Sequence, residues 1–126
     1  MKNIIVIEDD PIIRKIYTNH LEKAGYHVDI AADGEAGWQA IQATQPDGVL
    51  LDLMMPRMSG IEVLKQIRSH PTMSKTPVIV FTNAHVPMLV DSAVKEGATW
   101  VFNKATAPPQ SVLKALHDAL GNDRTT

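Results

Sequence analysis

Ile4-Ile5-Val6-Ile7-Glu8-Asp9-Asp10-Pro11 is the stretch on which the fold turns. Its first four residues are all β-branched, stiff at χ1 and suited to an extended chain. No polar residue interrupts them, which is the pattern of a strand covered on both faces in a parallel sheet. Asp10-Pro11 then reads as a helix N-cap followed by proline at the first helical position. A strand therefore runs into a helix, and a group of carboxylates sits at the junction.

The same unit recurs along the chain. Further apolar runs stand at Val28 to Ala31, Val49-Leu50-Leu51, Val78-Ile79-Val80-Phe81 and Trp100-Val101-Phe102. Between them lie segments of helical period: Ile13, Ile16, Tyr17, Leu21 and Ala24; Glu35 to Thr44; Ile61 to Arg68; Leu89, Ala93 and Val94; and Val112, Leu113, Leu116 and Leu120. Gly25 and Gly97 fall where left-handed caps end helices, Ser59-Gly60-Ile61-Glu62 reads as a capping box, and Pro109 and Gly121 bracket the last helix. Five βα repeats predict an α/β fold, with a parallel sheet and helices on both faces. In such sheets ligands sit beyond the C-terminal strand ends.

Composition narrows the function. The 126 residues fit one domain, expected over 1–121 with a short polar tail at 122–126. Twelve basic residues against 14 acidic give a formal charge of −2, so direct nucleic-acid binding lacks its electrostatic support. The chain has no cysteine, which excludes disulfides and thiolate chemistry. No apolar run is long enough to insert in a membrane, and the simplest reading is a cytoplasmic domain.

The strand ends carry the chemistry. The first strand ends in Glu8-Asp9-Asp10, the third in Asp52, the fourth in Thr82 and the fifth in Lys104. Topology alone gathers them at one rim. Bare carboxylates there would repel one another, and hard oxygen donors of this kind suit Mg2+. With such an ion present, Asp52 is placed to attack phosphorus and form an acyl phosphate. Lys104 and Thr82 would serve the remaining phosphoryl oxygens. Asp10, Ser59 and Glu62 are read as caps, Trp38 as packing, and Met54, Met55 and Met58 as a loop cluster packed under the site. His20, His27, His70, His85 and His117 show no ligand pairing.

These segments resemble the receiver domain of bacterial two-component response regulators. The resemblance is carried by Ile7-Glu8-Asp9-Asp10, by Leu51-Asp52-Leu53-Met54-Met55-Pro56-Arg57-Met58-Ser59-Gly60, by Phe81-Thr82, and by Gly97-Ala98 with Lys104 seven residues past the glycine. It runs from Ile4 to about Leu120. It implies a flavodoxin-like (βα)5 three-layer sandwich with strand order 2-1-3-4-5. It also implies that Asp52 accepts a phosphoryl group from a histidine kinase or a histidine phosphotransfer protein. Asp9, Asp52 and the main-chain carbonyl of Met54 would bind Mg2+ with help from Glu8, while Thr82 and Lys104 contact the phosphoryl group. Such a domain catalyses only its own phosphorylation and dephosphorylation. Its output is expected through protein contact at the face of helix 4, strand 5 and helix 5.

Some positions depart from the family's pattern. Val101 stands where an aromatic residue is usual, and its neighbour Trp100 should face the other way and not replace it. Ala105 replaces the proline whose bond to the lysine is cis in the family, and a non-proline cis bond costs about 3 kcal/mol. Asn83 follows Thr82 where a small residue is common. Three alternatives stay open at this point: a receiver-shaped adaptor that is never phosphorylated, an aspartyl-phosphate phosphatase and a flavodoxin-like cofactor binder. Against the phosphatase, Met54 occupies the position of its usual general acid. Against the cofactor binder, Glu8-Asp9-Asp10 would repel a phosphate after the first strand.

Overall fold

The computed structural model describes residues 2–55, 57–82, 87–103 and 107–121, with backbone alone at 87–89. In chain order the elements are β1 (Asn3–Ile7), α1 (Pro11–Lys23), β2 (His27–Ala31), α2 (Gly34–Thr44), β3 (Gly48–Asp52), α3 (Gly60–Ser69), β4 (Val78–Thr82), α4 (Pro87–Lys95), β5 (Trp100–Asn103) and α5 (Pro109–Gly121). The strands form one parallel sheet in the order β2-β1-β3-β4-β5, as the resemblance implies.

Strand alternation divides the core into two layers. Ile5, Ile7, Val49, Leu51, Val78 and Val80 pack with Ile41 of α2, with Val63, Leu64 and Ile67 of α3, and with Ala93 of α4. Ile4, Val6, Leu50, Ile79 and Phe81 pack with Tyr17 and Leu21 of α1 and with Val112, Leu116 and Leu120 of α5. The result is a helix–sheet–helix sandwich. Each fully buried Ile, Leu or Val contributes about 1.5–3 kcal/mol before chain entropy is charged against it.

The two outer strands are less covered than the central ones. β3 and β4 are buried throughout and β1 nearly so, but β2 leaves Ile30 54% exposed and β5 leaves Trp100 58% exposed. Periodicity reports apolar content; it does not report that β2 and β5 end up at the edges.

Local chemistry sets the helix ends. The Asp10 carboxylate accepts from the amides of Ile12 and Ile13 at 2.9 and 3.3 Å, and Ser59 Oγ accepts from the amide of Glu62 at 3.3 Å. α2 begins one residue earlier than its apolar stripe suggests, because Asp33 caps it by accepting from the amide of Ala36 at 2.8 Å. Gly25 and Gly97 hold φ of +96° and +98°, as expected of left-handed caps. Gly60 answers a closer demand. A Cβ there would run into the main-chain carbonyl of Asp52, so the start of α3 lies against the end of β3.

Among the described residues, no helix is long and apolar enough to cross a membrane.

Candidate functional site

Strand register assembles the rim. Ile7 lies beside Leu51, so Glu8, one residue past β1, comes up next to Asp52 at the end of β3. Asp52 lies beside Phe81, and Thr82 ends β4 one residue further on. Glu8, Asp9 and Asp52 each offer a carboxylate oxygen, and these oxygens all lie within 4.8 Å of one another. Among the described residues this is the one acidic or histidine cluster that could hold a metal ion.

The environments of the three carboxylates differ. Glu8 is fully buried and Asp52 is 3% exposed, whereas Asp9 faces solvent. The cluster is therefore rooted in the fold and open on one side. Asp52 Oδ1 accepts from the main-chain amide of Met54 at 3.2 Å, which fixes the carboxylate and turns the chain after it. The main chain of Glu8 is held from two directions. Its amide donates to the carbonyl of Ala31 at 3.0 Å, and its carbonyl accepts from Nη1 of Arg14 at 3.0 Å. Thr82 is 1% exposed.

Hard anionic oxygens this close fit a small divalent cation, and a solvent-facing ligand leaves room for retained water. Glu8, Asp9 and Asp52 are the residues that could hold Mg2+.

Two neighbours of the site carry no motif. Tyr17 is 4% exposed and its ring lies 4.8 Å from that of Phe81. Burial, and secondarily the charge of Glu8, push its phenol above the ordinary range. Arg14 is the other. Helical side chains lean toward the N-terminus, so α1 residues one to two turns in reach back to the rim. Sequence reading placed Tyr17 only on the buried stripe.

The methionine loop departs from expectation. Met55 and Met58 pack against the core on the α2–α3 side, but Met54 is 56% exposed and does not pack under the site. Arg57, in the same loop, has a φ of +64° and lies 3.8 Å from Asp33. Trp38 packs as expected, at the core edge and edge-on to His70 at 6.2 Å. Trp100 faces outward beside Phe102, so it does not take the place of an aromatic residue at Val101. Lys104, Ala105, Asn83 and His85 lie outside the described residues, as does the expected tail 122–126.

Comparison with known proteins decides the family. The profile of the response regulator receiver domain matches residues 4–117. This chain belongs to that family. It is thus a receiver domain of two-component signalling. Over 79 residues it is 40% identical to the response regulator MprA of Mycolicibacterium vanbaalenii, covering 63% of this chain and 33% of that one. Over 82 residues it is 38% identical to the DNA-binding dual master transcriptional regulator RpaA of Synechocystis, covering 65% and 34%. The matched part thus spans about a third of these relatives. Among solved structures, the receiver superposes on the chemotaxis response regulator CheY4 of Vibrio cholerae with a TM-score of 0.85 at 29% identity, over 94% and 98% of the two chains. A receiver domain of a histidine kinase from Syntrophus aciditrophicus gives a TM-score of 0.91 over 100% and 95%, at 23% identity, a likeness of fold.

Proposed function

We propose that this receiver takes a phosphoryl group onto Asp52 from the phosphohistidine of a kinase or phosphotransfer protein. The observation that carries the reading is the buried carboxylate of Asp52 in a cluster of oxygens no more than 4.8 Å apart. Mg2+ bound there would offset the carboxylates' repulsion and screen an incoming phosphate. Its protein ligands would be Asp9, Asp52 and the carbonyl of Met54, with Glu8 assisting.

The chemistry falls to the chain's own residues. A carboxylate oxygen of Asp52 attacks phosphorus in line, the P–N bond to the donor histidine breaks, and the imidazole leaves with the electron pair. The amide of Met54 holds the carboxylate at the end of β3 during the attack. Lys104 neutralises charge on one phosphoryl oxygen, and the Thr82 hydroxyl donates to another. Water attack on phosphorus later releases phosphate and restores the carboxylate. The signal leaves by protein contact at the face of α4, β5 and α5, where Val94 and Trp100 stand exposed. A cytoplasmic location belongs to the same reading.

The test is to incubate the protein with Mg2+ and acetyl phosphate and to record the intact mass. A gain of one phosphoryl group, absent from Asp52→Asn and absent in EDTA, is the expected result. No gain in the presence of bound Mg2+ would favour the adaptor that acts without phosphorylation. Turnover of free phosphomonoesters would favour the phosphatase.

A further inference from the structure

Three side chains stand in a row on the α1 face of the sheet. Ile4 and Val6 pack toward α1 and α5, and so do Leu50, Ile79 and Phe81. Strand alternation therefore turns Glu8, Asp52 and Phe81 the same way. Ile7 lies beside Leu51, and Asp52 beside Phe81, so the three are neighbours across β1, β3 and β4. Tyr17 of α1 packs onto the end of that row. It is 4% exposed, and its ring lies 4.8 Å from that of Phe81, tilted by 44°. The charge of Glu8 is felt at its phenol, which sets Tyr17 near the carboxylates as well as against Phe81. We propose that Tyr17, with Phe81, walls off the carboxyl carbon of Asp52, so that an acyl phosphate there is open to attack at phosphorus alone. The inference rests on the reading of Asp52 as the phosphoacceptor.

An acyl phosphate can be broken at two atoms. Water that bonds to phosphorus displaces the Asp52 oxygen with its electron pair, giving the free carboxylate and dihydrogen phosphate. Water that bonds to the carboxyl carbon displaces phosphate instead and gives the same products. The approaches differ. In-line attack on phosphorus comes from the side opposite the Asp52 oxygen, which is the solvent side. Attack on the carbon crosses the plane of the carboxyl group, through space that protein atoms fill.

Burial separates the two routes. Asp52 is 3% exposed and Glu8 not at all, whereas Asp9 faces solvent, so the cluster opens outward. The aromatic pair fills volume on the α1 side of it. A small residue at position 17 would leave a cavity bordered by carboxylates, and a polar cavity takes in water. Tyr17 is thus a positioning residue: it excludes nucleophiles from one reacting atom and takes part in no bond change.

The experiment phosphorylates the full chain with Mg2+ and acetyl phosphate, removes the donor and adds hydroxylamine. Hydroxylamine bonds to the carboxyl carbon, phosphate leaves, and Asp52 becomes a hydroxamate that peptide mass locates. Folded wild type should form it roughly tenfold more slowly than the same protein in urea, because a walled carbon reacts only when the structure opens. Tyr17→Ala should raise the folded rate by roughly tenfold, since its carbon no longer waits for that opening. Tyr17→Phe, which keeps the ring, should match the wild type. Tyr17→Leu serves if the alanine variant does not fold, with a smaller rise. Leu21→Ala removes a buried side chain one turn further along α1, away from the rim, and should leave the rate unchanged. Hydrolysis in 18O-labelled water gives a second readout. The label should enter phosphate alone in the wild type, and partly the Asp52 carboxyl in Tyr17→Ala. Equal rates in folded and unfolded wild type, or no rise in the folded position-17 variants that lose the ring, would overturn the wall. So would label in the Asp52 carboxyl of the wild type, or an equal rise in Leu21→Ala. A protein that takes no phosphoryl group on Asp52 would remove the acceptor reading and the wall with it, whereas each of the other results leaves Asp52 as the acceptor.

Discussion

Replacing Asp52 with asparagine should stabilise the metal-free protein and remove its response to Mg2+. Glu8 and Asp52 are both buried, with carboxylate oxygens no more than 4.8 Å apart. At that separation two unit charges repel by about 3.5 kcal/mol at an effective dielectric of 20, and by about 0.9 kcal/mol in bulk water. Asp9 is exposed, and its share is screened. Counting the carboxylate pair alone, Asp52→Asn should raise stability by about 1–3 kcal/mol. Asparagine keeps an oxygen to accept from the amide of Met54, so the loop should not be lost with the charge. For a domain of this size each 1 kcal/mol moves Tm by about 3–5 °C. The assay is thermal unfolding in EDTA and in saturating Mg2+. Wild type should melt lower than Asp52→Asn in EDTA and gain about 2.7 kcal/mol when Mg2+ reaches a hundred times its Kd. Asp52→Asn should gain much less. If the variant melts below wild type in EDTA and gains as much from Mg2+, like-charge repulsion is not what the site relieves by binding metal.

Other expectations follow from the same structure. The Tyr17 phenol is raised, so the unfolded chain loses its proton first as pH climbs past the ordinary value of 10, and folding stability falls from there until the folded phenol ionises. Tyr17→Phe should flatten that alkaline loss, measured as Tm between pH 8 and pH 11; an unchanged slope would show that Tyr17 is not its source. The Arg68 guanidinium donates to the carbonyls of Gly97, Ser74 and Thr76 at 2.9, 3.2 and 2.7 Å, and burial lowers its pKa. Arg68→Met should cost about 2–4 kcal/mol in urea unfolding, and Arg68→Lys should recover little of it, because an ammonium cannot span two loops as a planar fork does. A cost below about 0.5 kcal/mol would contradict that clamp. Gly60→Ala should lower both Tm and Mg2+ affinity, since its Cβ meets the carbonyl of Asp52; a neutral effect on both would mean that the start of α3 can shift freely.

Much of this was legible in the chain. The β-branched run at Ile4 to Ile7 and the caps at Asp10, Ser59, Gly25 and Gly97 are local signals, and each stands where the sequence puts it. The rim of Glu8, Asp9 and Asp52 was legible because register follows from the βα repeat, and no side-chain detail is needed to bring strand ends together. Edge position was legible only through the strand order that the resemblance implies, not through periodicity. Ile30 and Trp100 are as apolar as their central counterparts, and it is the strand order that leaves them exposed. Tyr17 and Arg14 were hidden for a different reason: they act on the rim through long side chains reaching back along α1, which periodicity cannot register. Met54 was misjudged because a methionine-rich loop gives no sign of which thioether faces out. Asp33 as the cap of α2 was available in the sequence three residues before Ala36, but the apolar stripe alone starts the helix at Glu35.

The most direct measurement is to trap the modified residue. After incubation with Mg2+ and acetyl phosphate, borohydride reduces an aspartyl phosphate to homoserine, and peptide mass spectrometry locates it. Conversion at residue 52, and only when donor and Mg2+ are both present, is the predicted outcome. Conversion at Asp9 instead, or none while Mg2+ is bound, would contradict it.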